Sequence, residues 1–483
     1  MTRVLFLALA CFTPLLNAAQ KPDVLFIAVD DLNDWTGYLG GHPQAKTPNI
    51  DRLVARGTAF TNTQCAAPAC NPSRAALMSG LRPWTTGIYT NNHHAGKVLA
   101  DTLTINRHFL ANGYHTLGGG KIYHGYSSEG REDTWTKWMG LFPNPKMPHN
   151  LNGLNQSHFD WGAWDVKTEE MGDALATDWA IEQLHHAPAD KPLFLALGYV
   201  KPHLPWYVPQ KYFDRFPLES IQLPVVKEDD LADIPPAGLK MAKPDGDHAA
   251  VVKAGQWKHA VQAYLATVSF LDDQVGRLLD GLDASPRKDK TIIVWWTDHG
   301  WHLGEKEHWR KFALWEDAAR TSFAIAAPGV TQPGSVCDAP VDYTNLYSTL
   351  TELTGLPTPA HVKAASLMPL LKDPKAPWDH VSICTHGRGN HAVKDARYRY
   401  IRYADGGEEL YDNATDPREW TNLAGSADHA AIKARLAAHL ISPDAEAPEP
   451  AVKKEKNNEE DEAKSKKGKG GKKKKQKQEA AAE

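Results

Sequence analysis

Cysteine is scarce in this chain, with five residues among 483. Cys11 lies in an amino-terminal apolar run and Cys70 in a motif taken up below, which leaves Cys65, Cys337 and Cys384. Three cysteines without framework spacing close at most one disulfide, so a disulfide scaffold is excluded and the core must carry the stability. Neither sign of charge dominates: 54 Lys and Arg face 58 Asp and Glu, for a net charge of −4. That balance, with no basic folded domain, argues against nucleic acid as a partner. Past the first twenty residues no run is long and apolar enough for a transmembrane helix, so no integral membrane segment is expected. No internal repeat is present.

What is present describes a globular protein with a full core. Hydrophobic residues make up 42% of the chain, charged residues 23%, and 16 tryptophans are included. The length suits one large domain and a smaller one. Tryptophan in this number suits carbohydrate contact, although core packing accounts for most of it.

The two ends differ from the body. Arg3, the apolar run Val4 to Leu16 and the small residues Asn17-Ala18-Ala19 make residues 1–19 a signal peptide. The chain is therefore expected to be exported, to a periplasm or outside the cell. Residues 446–483 contain no aromatic residue and read as a disordered, Lys-rich tail. From Lys453 onward twelve lysines face seven acidic residues, a net of +5 that leaves −9 on the rest. The tail is read as solvated; a tether to a polyanionic matrix is the alternative.

Between them, strands and helices alternate. Val24 to Val29, Leu193 to Leu197 and Thr291 to Trp296 are continuous apolar runs, as buried parallel strands are. Helices are expected from Pro48, over Thr102 to Asn112, and over Ala263 to Leu282, where Leu265, Val268, Leu271, Val275, Leu278 and Leu282 share one face. The fold class is α/β, a mostly parallel sheet flanked by helices, over residues 20–375. Residues 376–445 read as a small α+β subdomain: strands at Tyr398 to Tyr403 and Glu409 to Asp412, then a closing helix from Ala430 to Leu440.

The informative polar residues sit just after strands, where open α/β sheets bind ligands. Asp30-Asp31 follows the first run, Lys121 and His124 a short strand at Thr116-Leu117, His203 the Leu193 run, and Asp298-His299 the Thr291 run. Adjacent carboxylates repel unless a cation is present, and with Asp298 they form an oxygen-rich set suited to Ca²⁺ or Mg²⁺. The plainer reading of Asp30-Asp31 is a helix cap at a strand-to-helix turn.

Cys70-Asn71-Pro72-Ser73-Arg74, continued by Ala75-Ala76-Leu77-Met78-Ser79-Gly80, resembles the signature of type I sulfatases. The resemblance extends over Val24 to Asp31, Thr47 to Leu53, Gly113 to Lys121, Lys201-Pro202-His203, Asp298-His299-Gly300 and Glu409 to Asp412, roughly residues 21–440. Within that family, Arg82 to Thr86, Gly120 to His124, Lys201 to Pro205 and Asp298 to Glu305 are most similar to iduronate-2-sulfatase-like members. His299 stands where many sulfatases have Asn, and Lys121 and His124 are three apart rather than two.

The resemblance implies an alkaline-phosphatase-like fold and conversion of Cys70 to formylglycine by a maturase. The hydrated aldehyde is a geminal diol: one hydroxyl takes the sulfuryl group and the other expels sulfate, a step that plain Ser or Cys lacks. It further implies a Ca²⁺ site, with Mg²⁺ as second choice, formed by Asp30, Asp31, Asp298, His299 and the modified Cys70; imidazole is a soft partner for Ca²⁺, and the alternative for His299 is contact with a sulfate oxygen. Arg74 would orient the hydrate. Lys121, His203 and Lys311 would hold the sulfate oxygens, His203 or Lys311 would protonate the leaving alcohol, and His124 would help polarise the diol. Trp301 and His302 are candidates for leaving-group contact, or for packing under the site. Ser79 replaces a frequent Thr, and the lysine tail is not a family feature. The expected function is sulfate removal from a sulfated saccharide, with a 2-O-sulfated uronate as the leading substrate. The rivals are a phosphate or phosphonate ester hydrolase of the same fold and a non-catalytic binder of sulfated glycans.

Overall fold

The computed structural model describes residues 21–124 and 132–450. The expected signal peptide and nearly all of the expected tail lie outside the described residues. Twelve strands form the two main sheets. Eight make the large one: β1 (Asp23–Val29), β2 (Thr58–Phe60), β3 (His115–Gly120), β4 (Lys137–Trp138), β5 (Leu193–Tyr199), β6 (Thr291–Thr297), β7 (Phe323–Ala326) and β8 (Ser335–Cys337). Their order is β8-β2-β7-β6-β1-β5-β3-β4. The three apolar runs of the sequence become β1, β5 and β6, the centre of the sheet. β1 pairs in parallel with both neighbours, in the registers Ile27↔Leu197 and Ile27↔Trp295.

Every residue of β1, β5 and β6 is buried because helices cover both faces. The helices that matter here are α1 (Cys70–Ser79), α2 (Gly172–His186), α3 (Trp257–Asp283) and α4 (Asn345–Thr354). The period-two alternation of a strand divides the core. Leu25, Ile27 and Val29 face Tyr264, Leu271 and Leu278 of α3. Val24, Phe26 and Ala28 face Leu77 and Met78 of α1 and Leu346 and Leu350 of α4. α1 thus packs under the sheet with its first residue at the carboxyl edge, where β1 and β6 end.

A second sheet, β9 (Ser382–Thr385), β10 (His391–Lys394), β11 (Tyr398–Arg402) and β12 (Glu408–Asp412), is antiparallel in chain order, and α5 (Ala430–Ala437) packs on it through Leu436.

Several boundaries move. The helix expected from Thr102 starts at Ile105, with Thr104 extended before it. α5 ends at Ala437, short of Leu440. β7 enters the sheet antiparallel to β6 and β2, a reversal the sequence did not announce. Glu446, placed at the head of the solvated tail, is instead 3% exposed. Its carboxylate accepts from His391 Nε2 at 2.9 Å and from the Gly389 amide at 3.0 Å, and Ala447 N–H donates to Trp84 O at 2.8 Å. A charged residue in a tail-like composition stays in the fold because its partners are already buried there.

Candidate active site

Six separate pieces of chain deliver polar groups to one buried spot, Lys121 after β3 and His203 after β5 among them. β1 ends in Asp30 and Asp31, and Asp31 has a left-handed backbone at φ 60. β6 ends in Asp298 and His299. α1 begins at Cys70 and carries Arg74 one turn later. The loop after β6 supplies Lys311, bracketed by Arg310 at φ 74 and Phe312 at φ 69. Non-glycine residues in that region are strained, and such strain concentrates at functional sites.

Arg74 is the centre of the arrangement. Its Nη2 donates to Asp30 Oδ1 at 3.0 Å, its Nε to Asp298 Oδ2 at 3.0 Å, and its Nη1 to Lys121 O. Lys121 Nζ donates to the other oxygen of Asp30. Lys311 Nζ lies 2.8 Å from Asp31 Oδ1 and 3.3 Å from Cys70 Sγ. His299 Nε2 is 3.4 Å from the same sulfur, 3.5 Å from Asp31 Oδ1 and 3.4 Å from Asp298 Oδ2. His203 Nε2 stands 3.9 Å from Asp30 Oδ2 and 3.7 Å from Asp31 Oδ2. The outer oxygen of Asp31 is buried and accepts no hydrogen bond.

A family model described as "Sulfatase" matches residues 22–356. The chain belongs to the sulfatase family.

A second family model, described as the C-terminal part of N-sulphoglucosamine sulphohydrolase, matches residues 304–446. A "Sulfatase" of Formosa agariphila is 44% identical over 431 residues, covering 84% of this chain and 84% of that protein. Human iduronate 2-sulfatase is 29% identical over 444 residues, covering 81% of this chain and 77% of the human one. Among solved structures, a phosphonate monoester hydrolase of Agrobacterium radiobacter superposes with a TM-score of 0.71 at 21% identity, covering 88% of this chain and 96% of that one. That likeness fixes the fold, which is alkaline-phosphatase-like. The enzyme is a sulfatase.

Of the residues expected in the sulfatase site, Asp30, Asp31, Cys70, Arg74, Lys121, His203, Asp298, His299 and Lys311 meet in this cluster. His124 lines a cleft with Asn71, Arg74, Met78 and Tyr123, on the side where α1 and Lys121 approach each other. Trp301 and His302 are buried, at 1% and 0% exposure, and Trp301 lies under Lys311 with the ammonium 5.2 Å from its ring. The segment turns inward after His299 because Gly300 and Trp301 bond back to Ala318 O and Asp317 O.

Charge and burial set the proton inventory. Burial pushes the Asp30 carboxyl up, but the charges of Lys121, His203 and Arg74 outweigh it and hold it well below the usual carboxylate range. Asp298 is raised by burial despite Arg74 and His299. Burial lowers His299, so its ring is neutral. Its Nδ1–H donates to Gly300 O at 3.0 Å, which leaves the Nε2 lone pair facing the cluster. Burial, reinforced by the charge of Asp30, raises the Cys70 thiol well above its usual range. Left as a thiol, Cys70 is protonated at neutral pH and a weak nucleophile.

The donor set fits a divalent cation. Asp30, Asp31, Cys70 and His203, and again Asp31, Cys70, Asp298 and His299, offer ligand atoms within 4.8 Å of one another. Buried carboxylate oxygens suit Ca²⁺ or Mg²⁺, and the orphaned Asp31 oxygen has lone pairs to give. Three carboxylates are matched by Arg74, Lys121 and Lys311, so a bound dication would leave net positive charge for an anionic ester.

One contribution was not legible beforehand. Lys201 Nζ donates to Pro205 O and, at 3.3 Å, to His203 O. Its amide and that of Val200 donate to the buried Asp173 carboxylate at 2.8 and 2.9 Å. This clamp holds the turn that carries His203. Only Asp173, thirty residues earlier in α2, could have signalled it.

Proposed function

We propose that this sulfatase removes sulfate from a sulfated carbohydrate, with a 2-O-sulfated uronate as the leading substrate, using formylglycine made from Cys70 and a bound divalent cation, Ca²⁺ first. The observation that carries the reading is Cys70 Sγ within 3.4 Å of both Lys311 Nζ and His299 Nε2, beside three buried aspartates. In the mature enzyme the sulfur position stands in for the oxygens of the aldehyde hydrate. The substrate class comes from the human relative named iduronate 2-sulfatase.

A formylglycine hydrate at Cys70 would supply a nucleophile whose second hydroxyl can release sulfate, and a divalent cation, which Asp30, Asp31, Asp298 and His299 would hold, would supply a positive anchor. The chain's own residues do the rest. Arg74 locks Asp30 and Asp298 in place, so the carboxylates present fixed oxygens. Lys311 and Lys121 are ammonium groups already aimed at the cluster; they bind the sulfate oxygens and stabilise charge as the S–O bond breaks. His203, whose Nδ1 meets Leu204 O while Nε2 faces the cluster, or Lys311 is the group that would protonate the leaving alcohol. His124 flanks the cleft and helps polarise the hydrate. Maturation requires a separate formylglycine-generating enzyme, and export follows from the leader at residues 1–19.

The test is sulfate release from a panel of sulfated mono- and disaccharides, with matched phosphate and phosphonate esters of one phenol alongside. Turnover of a 2-O-sulfated uronate above other positions is expected, with the phosphate and phosphonate esters at least tenfold slower. Faster turnover of the phosphonate would move the enzyme to that rival. Glycan retention without turnover, lost on removing the Lys-rich tail, would make it a binder.

A further inference from the structure

Two of the cysteines outside the catalytic motif face each other. Cys65 and Cys384 are 319 residues apart in sequence, yet their sulfurs are 3.7 Å apart. Both side chains are fully buried, at 0% and 1% exposure, and both are free thiols. The backbone around them is already tied together. Cys65 N–H donates to Ala319 O at 2.8 Å, and Thr385 N–H donates to Ala66 O at 2.9 Å. The residues following each cysteine are thus hydrogen-bonded to one another, which holds the two side chains level. Cys384 lies in β9, in the C-terminal sheet, and Cys65 lies five residues before Cys70, in the segment that leads into α1.

We propose that Cys65 and Cys384 are a modification site: they close a disulfide that staples the C-terminal sheet to the segment carrying Cys70. A disulfide sulfur pair lies about 2.05 Å apart, so each sulfur has to move by less than an ångström, within reach of small side-chain rotations. The oxidant is an external disulfide, either oxidised glutathione or a disulfide-exchange protein. One thiolate attacks it and releases one reduced carrier thiol. The second cysteine then displaces the other carrier thiol. The chain loses two hydrogens and the carrier gains them. Because both thiols are sealed in the finished fold, the bond forms as the chain folds. Cys337 is the internal control, buried in β8 with neither sulfur beside it. The inference does not depend on the reaction the enzyme catalyses.

The test uses the full chain, reduced in denaturant, refolded in a glutathione redox buffer, alkylated without reduction and digested. The expected product is a peptide joining Cys65 to Cys384, two hydrogens lighter than its free halves, with Cys337 recovered as an alkylated thiol. Cys65 and Cys384 recovered singly alkylated, or joined to Cys337 instead, would overturn the proposal. Should refolding fail, the same digest of protein collected from an oxidising compartment without reductant reads the same peptide and is judged the same way. A second readout tests the staple itself. Reductant should lower the melting midpoint of the oxidised protein by several degrees and leave a Cys65→Ala/Cys384→Ala variant unmoved. An equal fall in both would show that the bond holds nothing.

Discussion

Two buried arginines organise two different regions, and they are nearly equal in burial. Arg74 at the catalytic cluster is 1% exposed, and Arg399 in the C-terminal sheet is 0% exposed. Arg399 makes four hydrogen bonds: Nε donates to Glu419 Oε1 at 2.6 Å, Nη1 to Leu314 O at 3.2 Å, and Nη2 to Gln64 Oε1 at 2.9 Å and to Glu316. Glu316 is met again by Lys394 at 2.6 Å. Around Arg74 the carboxylates keep something in reserve. Asp31 retains an orphaned oxygen, and His299 turns its Nε2 to Cys70 Sγ at 3.4 Å, the position to be modified. A buried ion network that closes on itself joins two parts of a fold, whereas one left open at a shared point is built to receive something.

The sharpest way to break the comparison is at its open end. Cys70→Ala should leave the fold intact and lower sulfate release by about 10⁵-fold or more, because the nucleophile is gone while its neighbours remain. Circular dichroism and a melting curve check the first half, and a sulfate assay the second.

Next in size is the exchange of the arginines. Arg74→Met and Arg399→Met should each cost about 3–5 kcal/mol, since either strands buried carboxylates. Their activities should then separate. Per folded molecule, Arg399→Met should retain most of the wild-type rate, and Arg74→Met almost none. Equal loss in both would erase the distinction between a structural and a catalytic network.

Chelation comes third. Stripping divalent ions should abolish turnover and lower the melting midpoint, and Ca²⁺ at about 100 times its dissociation constant should restore about 2.7 kcal/mol. In Asp31→Asn the melting response to Ca²⁺ should shrink, while in Glu316→Gln it should persist.

Acid sensitivity is a smaller effect and works on the closed network. Burial raises Glu316, but Lys394, Arg399 and Arg320 outweigh it and hold it far below its ordinary value. A depressed folded-state value means that its stabilisation is complete above the unfolded value of about 4.3 and is lost as pH falls below it. Glu316→Gln should therefore flatten the acid limb of the stability curve, read by melting at successive pH values. The smallest effect is expected at the surface: breaking the exposed pair Lys375–Asp338, at 72% and 74% exposure, should change stability by no more than about 0.5 kcal/mol.

The centre of the sheet was legible because β1, β5 and β6 are buried on both faces, which forces unbroken apolar runs. The edges were not. β7 is four residues long and reverses direction through pairing with β2, a contact between distant segments with no local pattern. At the site, strand-end carboxylates and the Cys70 motif announced themselves through spacing. Three things did not. The inward turn that buries Trp301 and His302 depends on backbone bonds to Ala318 and Asp317. The left-handed backbone on either side of Lys311 falls on Arg310 and Phe312, residues that give no hint of it. The clamp on His203 joins Lys201 to Asp173, a pairing that only the packing of α2 creates. Glu446 shows the same limit from the other side, since composition assigned it to solvent and a buried histidine holds it in the fold.

The most direct measurement is the mass of the peptide spanning Cys70, taken from enzyme that is turning over a sulfated sugar. The account predicts the loss that converts the thiol to an aldehyde, in a fraction of molecules that tracks specific activity from one preparation to the next. Full activity from protein whose Cys70 is entirely an unmodified thiol would contradict it.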